Sequence, residues 1–270
     1  MRWTLDGRTV RASTGAVTLD DEAERVVLVH GAGMDRTAWA QQTRWLAHRG
    51  YAAVAVDLPG HGGSDGPAPT TIADTADWLA SLLTGAELAP AHLVGHSMGS
   101  LVALETAARH PDLVRSLVLL GAAPEMPVHP DLLAAAAAGE PRAPALMSAW
   151  GHGVQAHTGG HPSPGLWMIG ASNALFERTV GEVMGRDLEA CGAYQGAAAA
   201  ASSIGCPVTV VAASEDRMTP ARGGRALCEL CGGRWELIDG VGHMMMVEDP
   251  DAVRRAILDA LRAASPPDGA

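Results

Sequence analysis

Between residues 25 and 120, and again after residue 204, short runs of consecutive apolar residues alternate with longer segments whose apolar positions recur every three or four residues. Arg25 to Val29, Tyr51 to Val56, Ala91 to Val94, Val114 to Leu120 and Pro207 to Ala213 have the length and composition of strands buried on both faces, and Arg234 to Ile238 reads as a further strand. The helical segments lie between them. Asp35 can cap a helix through His48 that stops at Gly50, and Thr71 can cap one in which Ile72, Ala76, Leu79 and Leu83 share a face. Helical runs also span Leu101 to Arg109 and a stretch ending at Cys231. Pro250, behind the potential cap Asp249, opens the last helix. At the start, Trp3-Thr4-Leu5 and Arg8 to Arg11 flank Asp6-Gly7, the turn pair of a tight hairpin. The pattern predicts an α/β fold with a mostly parallel central sheet, helices on both faces and an antiparallel N-terminal hairpin.

The rhythm breaks from Ala123 to about Ser203. Pro, Gly and Ala crowd between Pro124 and Pro164, and the helix patterns become loose. An excursion of this length is usually a functional insert, so the expected organisation is a core domain of residues 1–123 and 204–264 with a helical lid of residues 124–203. Residues 265–270, polar with two prolines, read as a disordered tail.

Candidate chemistry gathers where strands end. His92-Leu93-Val94 runs into Gly95-His96-Ser97-Met98-Gly99 and then directly into a helix. Strand, Gly-x-Ser-x-Gly and helix together describe a nucleophile elbow, which pushes the serine hydroxyl clear of the backbone at a helix N-terminus. Ser97 is the candidate nucleophile. Asp216 and His243 follow the last two predicted strands, and in a parallel sheet such carboxyl ends share one edge. His30-Gly31, Asp57-x-Pro-Gly-His-Gly-x-Ser64, the elbow, Asp216 with Pro220 four residues on, and Gly242-His243 together resemble the α/β-hydrolase superfamily in type and order, over nearly the whole chain outside the insert and tail.

The resemblance implies a Ser97–His243–Asp216 triad, with His243 as general base and Asp216 fixing its tautomer. It also implies an oxyanion hole made by the backbone N–H groups of Ala32 and Met98. Asp216 is chosen over its neighbour Glu215 because the D-x-x-x-P pattern matches the acid loop. His30 and His61 match positions that hold loops, and His96 reads as the variable residue of the elbow. A substrate pocket is expected from Met34, Met147, Trp150, Trp167 and Met244, with Leu146, Leu166, Met168, Leu175 and Phe176 as further apolar candidates.

The remaining features narrow the function. At 270 residues and 47% hydrophobic the chain can bury one large core. A net charge of −11 and scattered basic residues argue against nucleic acid or an anionic membrane, leaving a small molecule as the expected partner. No pattern along the chain specifies an oligomeric state. Met1 leads into Arg2-Trp3-Thr4 without an apolar leader, so a cytoplasmic protein is the expectation. Cys228 and Cys231 form a C-x-x-C with no second ligand pair, and His129, His152, His157 and His161 lie in loop-like sequence without ligand spacing. No metal and no cofactor is expected. Between residues 124 and 203 the only cations are Arg142, Arg178 and Arg186, which favours a neutral carboxylic ester or lactone of small to medium size. Two alternatives remain: carbon–carbon bond hydrolysis or a lyase reaction on the same triad, and a non-enzymatic ligand-binding protein on a hydrolase fold.

Overall fold

The computed structural model of the protein describes residues 1–160 and 165–265. Strands β1 (Arg2–Leu5) and β2 (Arg8–Ser13) form the hairpin, with Asp6 and Gly7 at φ 49° and 77° as its two-residue turn requires. β3 (Arg25–Val29), β4 (Ala52–Val56), β5 (Ala91–His96), β6 (Val114–Leu120), β7 (Val208–Ala213) and β8 (Arg234–Ile238) complete one eight-stranded sheet. Its order is β1-β2-β4-β3-β5-β6-β7-β8. β2 pairs antiparallel with β1 and β4, and every other pairing is parallel. All residues of β4, β5 and β7 are buried, which is why these strands read as unbroken apolar runs rather than as alternation.

The strands are joined by helices on both faces. The segment after β3 starts as a 3₁₀ turn, Arg36–Trp39, capped by the Asp35 carboxylate on the Thr37 N–H, and only then becomes α1 (Ala40–Ala47). α2 (Ile72–Gly85) follows β4, and α3 (Met98–Arg109) follows β5. Between β6 and β7 the chain folds into α4 (Pro130–Ala137), α5 (Arg142–Gly151), α6 (Val154–His157), α7 (Met168–Phe176), α8 (Glu182–Ala193) and α9 (Ala197–Ser203). After β7 come α10 (Ala221–Cys231), α11 (Met245–Glu248) and α12 (Pro250–Ala264). α1 packs on α12, while α2 and α3 pack together and α9 bridges α3 and α10. α9 therefore sits with the sheet helices, although the lid expected from the sequence extends through it. α4 packs on α5 and α8, and α8 reaches α3.

β3 lies between β4 and β5, so the chain winds one way from β3 and the other way from β5. That reversal opens a crevice at the carboxyl ends of the strands, where open α/β sheets hold ligands. At the other end of the chain, Ser265 Oγ donates to Glu24 Oε1 (2.9 Å), and the rest of the expected tail lies outside the described residues. No helix among the described residues is long and apolar enough to cross a membrane.

Thr71 illustrates how local chemistry sets these boundaries. Its Oγ1 accepts from the Asp74 N–H (3.0 Å) and donates to Asp74 Oδ2 (2.7 Å), closing a reciprocal cap on α2. Thr71→Ala is expected to cost about 1 kcal/mol, read as a lowered midpoint in denaturant titration with an unchanged slope.

Candidate active site

Ser97 sits between β5 and α3 at φ 54°, ψ −119°, a strained conformation for a residue with a side chain. The surroundings impose it. A Cβ on Gly95 would lie 2.4 Å from the Gly99 carbonyl oxygen, and one on Gly99 would lie 2.3 Å from the Val29 carbonyl oxygen. Strands β3 and β5 and helix α3 thus meet backbone to backbone, and only glycine fits on either side of the serine. The Ser97 N–H donates to the Leu120 carbonyl (2.9 Å), and its own carbonyl accepts from Ser100 and Leu101. Its Oγ is left without a hydrogen bond among the described residues and faces a cavity.

Asp216 follows β7 and His243 follows β8. His243 Nδ1–H donates to Asp216 Oδ2 at 2.8 Å, with both side chains buried. The same oxygen accepts from Thr219 Oγ1 (2.7 Å), while Asp216 Oδ1 accepts from the Met218 and Thr219 N–H groups (2.9 and 2.8 Å). Burial alone would raise the Asp216 carboxyl, but His243 and these donors hold it below its ordinary value, so it is an ionised anchor. Glu215 points elsewhere, its Oε2 accepting the Val154 N–H at 2.6 Å. A histidine oriented by a carboxylate, on the sheet edge that also carries an unencumbered serine, has the chemistry to take and return a proton.

Two backbone donors complete the arrangement. Neither the Ala32 N–H, after β3, nor the Met98 N–H, the first of α3, meets an acceptor among the described residues. Both belong to residues flanking the serine's surroundings, so together they can receive a negatively charged oxygen.

Comparison with known proteins gives the family. The family model for the alpha/beta hydrolase family matches residues 26–256. The chain belongs to the alpha/beta hydrolase family. It is 31% identical over 254 residues to a pimeloyl-[acyl-carrier protein] methyl ester esterase of Neisseria meningitidis, covering 87% of this chain and 92% of that one. It is 37% identical over 100 residues to an (E)-2-((N-methylformamido)methylene)succinate hydrolase of Acinetobacter baylyi, a match that spans 37% of this chain and only 38% of that protein. The fold is shared with the enol-lactonase of Burkholderia xenovorans, at a TM-score of 0.85 and 22% identity, covering 97% of this chain and all of the other.

In this alpha/beta hydrolase the cavity above Ser97 measures about 800 Å³. Ala32, Met147 and Trp150 line it, as do Leu132 of α4, Leu188 of α8, and Met218. Three residues expected in the pocket are elsewhere. Met34 and Met244 are buried in the core, Met244 against Gly151, because each follows its loop inward rather than toward the cavity. Trp167 is 70% exposed at the start of α7 and lies over Gly170 of its own helix. Met168, Leu175 and Phe176 pack the insert itself, and Leu166 is exposed.

The insert's cations are also accounted for. Arg142 pairs with Asp131 (3.6 Å), Arg178 with Asp35 (2.8 Å) and Arg186 with Glu182 (2.5 Å). The cavity instead receives Arg217 and Arg222 from the loop and helix after β7, and is also lined by Glu125 and His129. Neither arginine has a hydrogen-bond or ion-pair partner among the described residues. Counting cations within the insert could not find them, although Arg217 adjoins Asp216.

The histidines divide cleanly. His129 Nδ1 accepts the Asp131 N–H at the start of α4, His152 is buried with Ser148 and Ser172, and His157 is exposed at the end of α6; His161 lies outside the described residues. Among the described residues no group of three or more His, Cys, Asp and Glu could hold a metal ion. His96, which reads from sequence as the variable residue of the elbow, braces His243. Its Nε2–H donates to the His243 carbonyl (2.9 Å), and its ring lies 4.6 Å from the His243 ring. Glu248 accepts from the Gly153 and Gly242 N–H groups (2.9 and 3.0 Å), joining the insert to the residue before His243. Burial, with Glu215 and Asp216 nearby, pushes its carboxyl up to about 7 against the pull of those two amides.

Burial lowers His96 to about 3, and His30 and His152 to about 4. Each is neutral when folded and titrates near 6.5 when unfolded, so the unfolded chain binds more protons below pH 6.5. The stabilisation these groups contribute is complete above pH 6.5 and is lost as pH falls toward 4 and then 3. Thermal midpoints are expected to drop steeply between pH 6.5 and 4, and His96→Gln, which keeps a donor for the His243 carbonyl, to flatten that slope. Identical slopes for the two proteins would refute this account of the acid limb.

Proposed function

We propose that the protein is a serine hydrolase of carboxylic esters or lactones, acting through an acyl-enzyme on Ser97. Ser97 Oγ attacks the carbonyl carbon as His243 takes its proton, and His243 returns that proton to the leaving oxygen. Water, activated by the same histidine, then releases the acid. Asp216 orients the imidazole and offsets its charge, and the Ala32 and Met98 amides receive the oxyanion. The observation that carries this reading is the elbow serine, strained and unencumbered, on the same sheet edge as a buried histidine bonded to a carboxylate. The 31% identical methyl ester esterase supports ester chemistry, since the likeness runs through the whole core.

Ser97→Ala is expected to leave a folded protein with turnover of p-nitrophenyl esters reduced by ~10⁴ to 10⁶, and a fluorophosphonate is expected to label Ser97 alone. Asp216→Asn is expected to cost about 10⁴ in kcat through loss of the correct tautomer, whereas Glu215→Gln, bonded to Val154, costs far less. The reverse ranking, or unchanged turnover in Ser97→Ala, would sink the mechanism. A wild-type protein that binds substrates without turning them over would leave the binding-protein alternative.

The substrate's charge is open to a second reading. The expectation of a neutral substrate rests on the insert's arginines, which are all paired, whereas Arg217 and Arg222, without a partner among the described residues, line the cavity itself. Arg222 also stands in the first turn of α10 with no acidic residue beside it, against the helix dipole. A substrate with an apolar acyl portion and a carboxylate at its outer end fits this lining, and one relative is named for a substituted succinate. The double variant Arg217→Gln/Arg222→Gln is expected to raise KM about three- to tenfold for the monoester of a dicarboxylic acid while leaving neutral esters of equal length unchanged. Equal effects on both would restore the neutral substrate. Preference for ring-cleavage diketones over all esters would favour carbon–carbon hydrolysis.

A further inference from the structure

The loop after β3 is held by the insert as well as by the core, where the Arg36 N–H donates to Asp57 Oδ1. The Gly33 N–H donates to Asp187 Oδ2 in α8 (2.8 Å), and the Gly33 carbonyl accepts from Thr179 Oγ1, between α7 and α8 (2.6 Å). Arg178, beside Thr179, reaches Asp35 Oδ2 (2.8 Å). Both peptide planes that follow Ala32 are therefore tied to the insert, and Ala32 itself lines the cavity, its N–H meeting no acceptor among the described residues.

Asp187 has a second partner. The oxygen that accepts from Gly33 also accepts from His61 Nε2 (2.8 Å), and His61 Nδ1 lies 3.0 Å from the Pro59 carbonyl. Both ring nitrogens meet oxygens that can only accept, so each carries a proton and His61 is an imidazolium. Its surroundings are mixed: burial opposes the charge, while Asp187, the Pro59 carbonyl and Asp57 favour it and prevail. The side chains of the pair are 1% and 4% exposed. A buried ion pair contributes little net stability compared with apolar residues of the same volume, so its value here is the fixed geometry it imposes.

We infer that Asp187, held by protonated His61, is a positioning residue of the oxyanion hole: through Gly33 it sets the direction of the Ala32 N–H. The inference rests on the assignment of Ser97 as nucleophile and of Ala32 as an oxyanion donor. An oxyanion donor acts only where charge develops in the transition state, so misaiming it lowers kcat and leaves ground-state binding alone.

The test compares Asp187→Ala, Asp187→Asn and Thr179→Val with wild type, using ester kinetics, affinity for a trifluoromethyl ketone, fluorophosphonate labelling rate and thermal midpoint. Asp187→Ala is expected to lower kcat by about 10- to 100-fold with KM changed less than about threefold, and ketone affinity to fall in parallel with kcat/KM. Asp187→Asn, which keeps an acceptor for the Gly33 N–H, recovers most of kcat. Thr179→Val gives a smaller loss of the same kind, and it decides the matter should Asp187→Ala fail to fold. Variants with lowered thermal midpoints but unchanged kcat and ketone affinity would overturn the inference and leave Asp187 a tether for α8. A wild-type chain that neither labels nor turns over esters would overturn the nucleophile assignment and the inference together.

Discussion

The site depends on how closely three backbones approach at Gly99. β3, β5 and α3 meet there with no room for a Cβ, and that contact holds Ser97 at positive φ. The strain costs about 1–3 kcal/mol by itself, which the buried strands around it absorb. Once the serine is placed, the rest is a matter of sheet geometry. Parallel strands deliver Asp216 and His243 to the same edge, and the winding reversal beside β3 leaves that edge open.

The sheet is legible in the sequence for a physical reason. Strands buried on both faces must be apolar throughout, and Val114–Leu120 and Arg234–Ile238 appear with the boundaries their pattern predicts. Caps on α2 and α12 are equally plain, because Thr71 and Asp249 act on backbone within three residues. The elbow, the acid loop and the histidine loop can be read as local motifs for the same reason.

What escapes the sequence is long-range. Asp187 meets Gly33 and His61 across more than a hundred residues, and nothing near Asp187 announces that partner. His96 looks variable because its bond is to the His243 carbonyl, a group that every residue possesses. Residue type alone points Met34, Met244 and Trp167 at the pocket, but type does not say which way a loop turns. Arg217 and Arg222 stay hidden as long as the insert is equated with the whole of the cavity wall.

The insert is fastened on both sides of Ser97. Thr179, Arg178 and Asp187 grip the loop after β3, while the amides of Gly153 and Val154 are held by Glu248 and Glu215, and the Gly151 carbonyl accepts from Met244. Of the cavity wall, Leu132 of α4 and Met147 of α5 make none of these fastenings, whereas Trp150 and Leu188 stand next to them. Such a division leaves α4 and the early turns of α5 free to drift toward new ligands, while the fastened segments hold the loops around Ser97 and His243 in register.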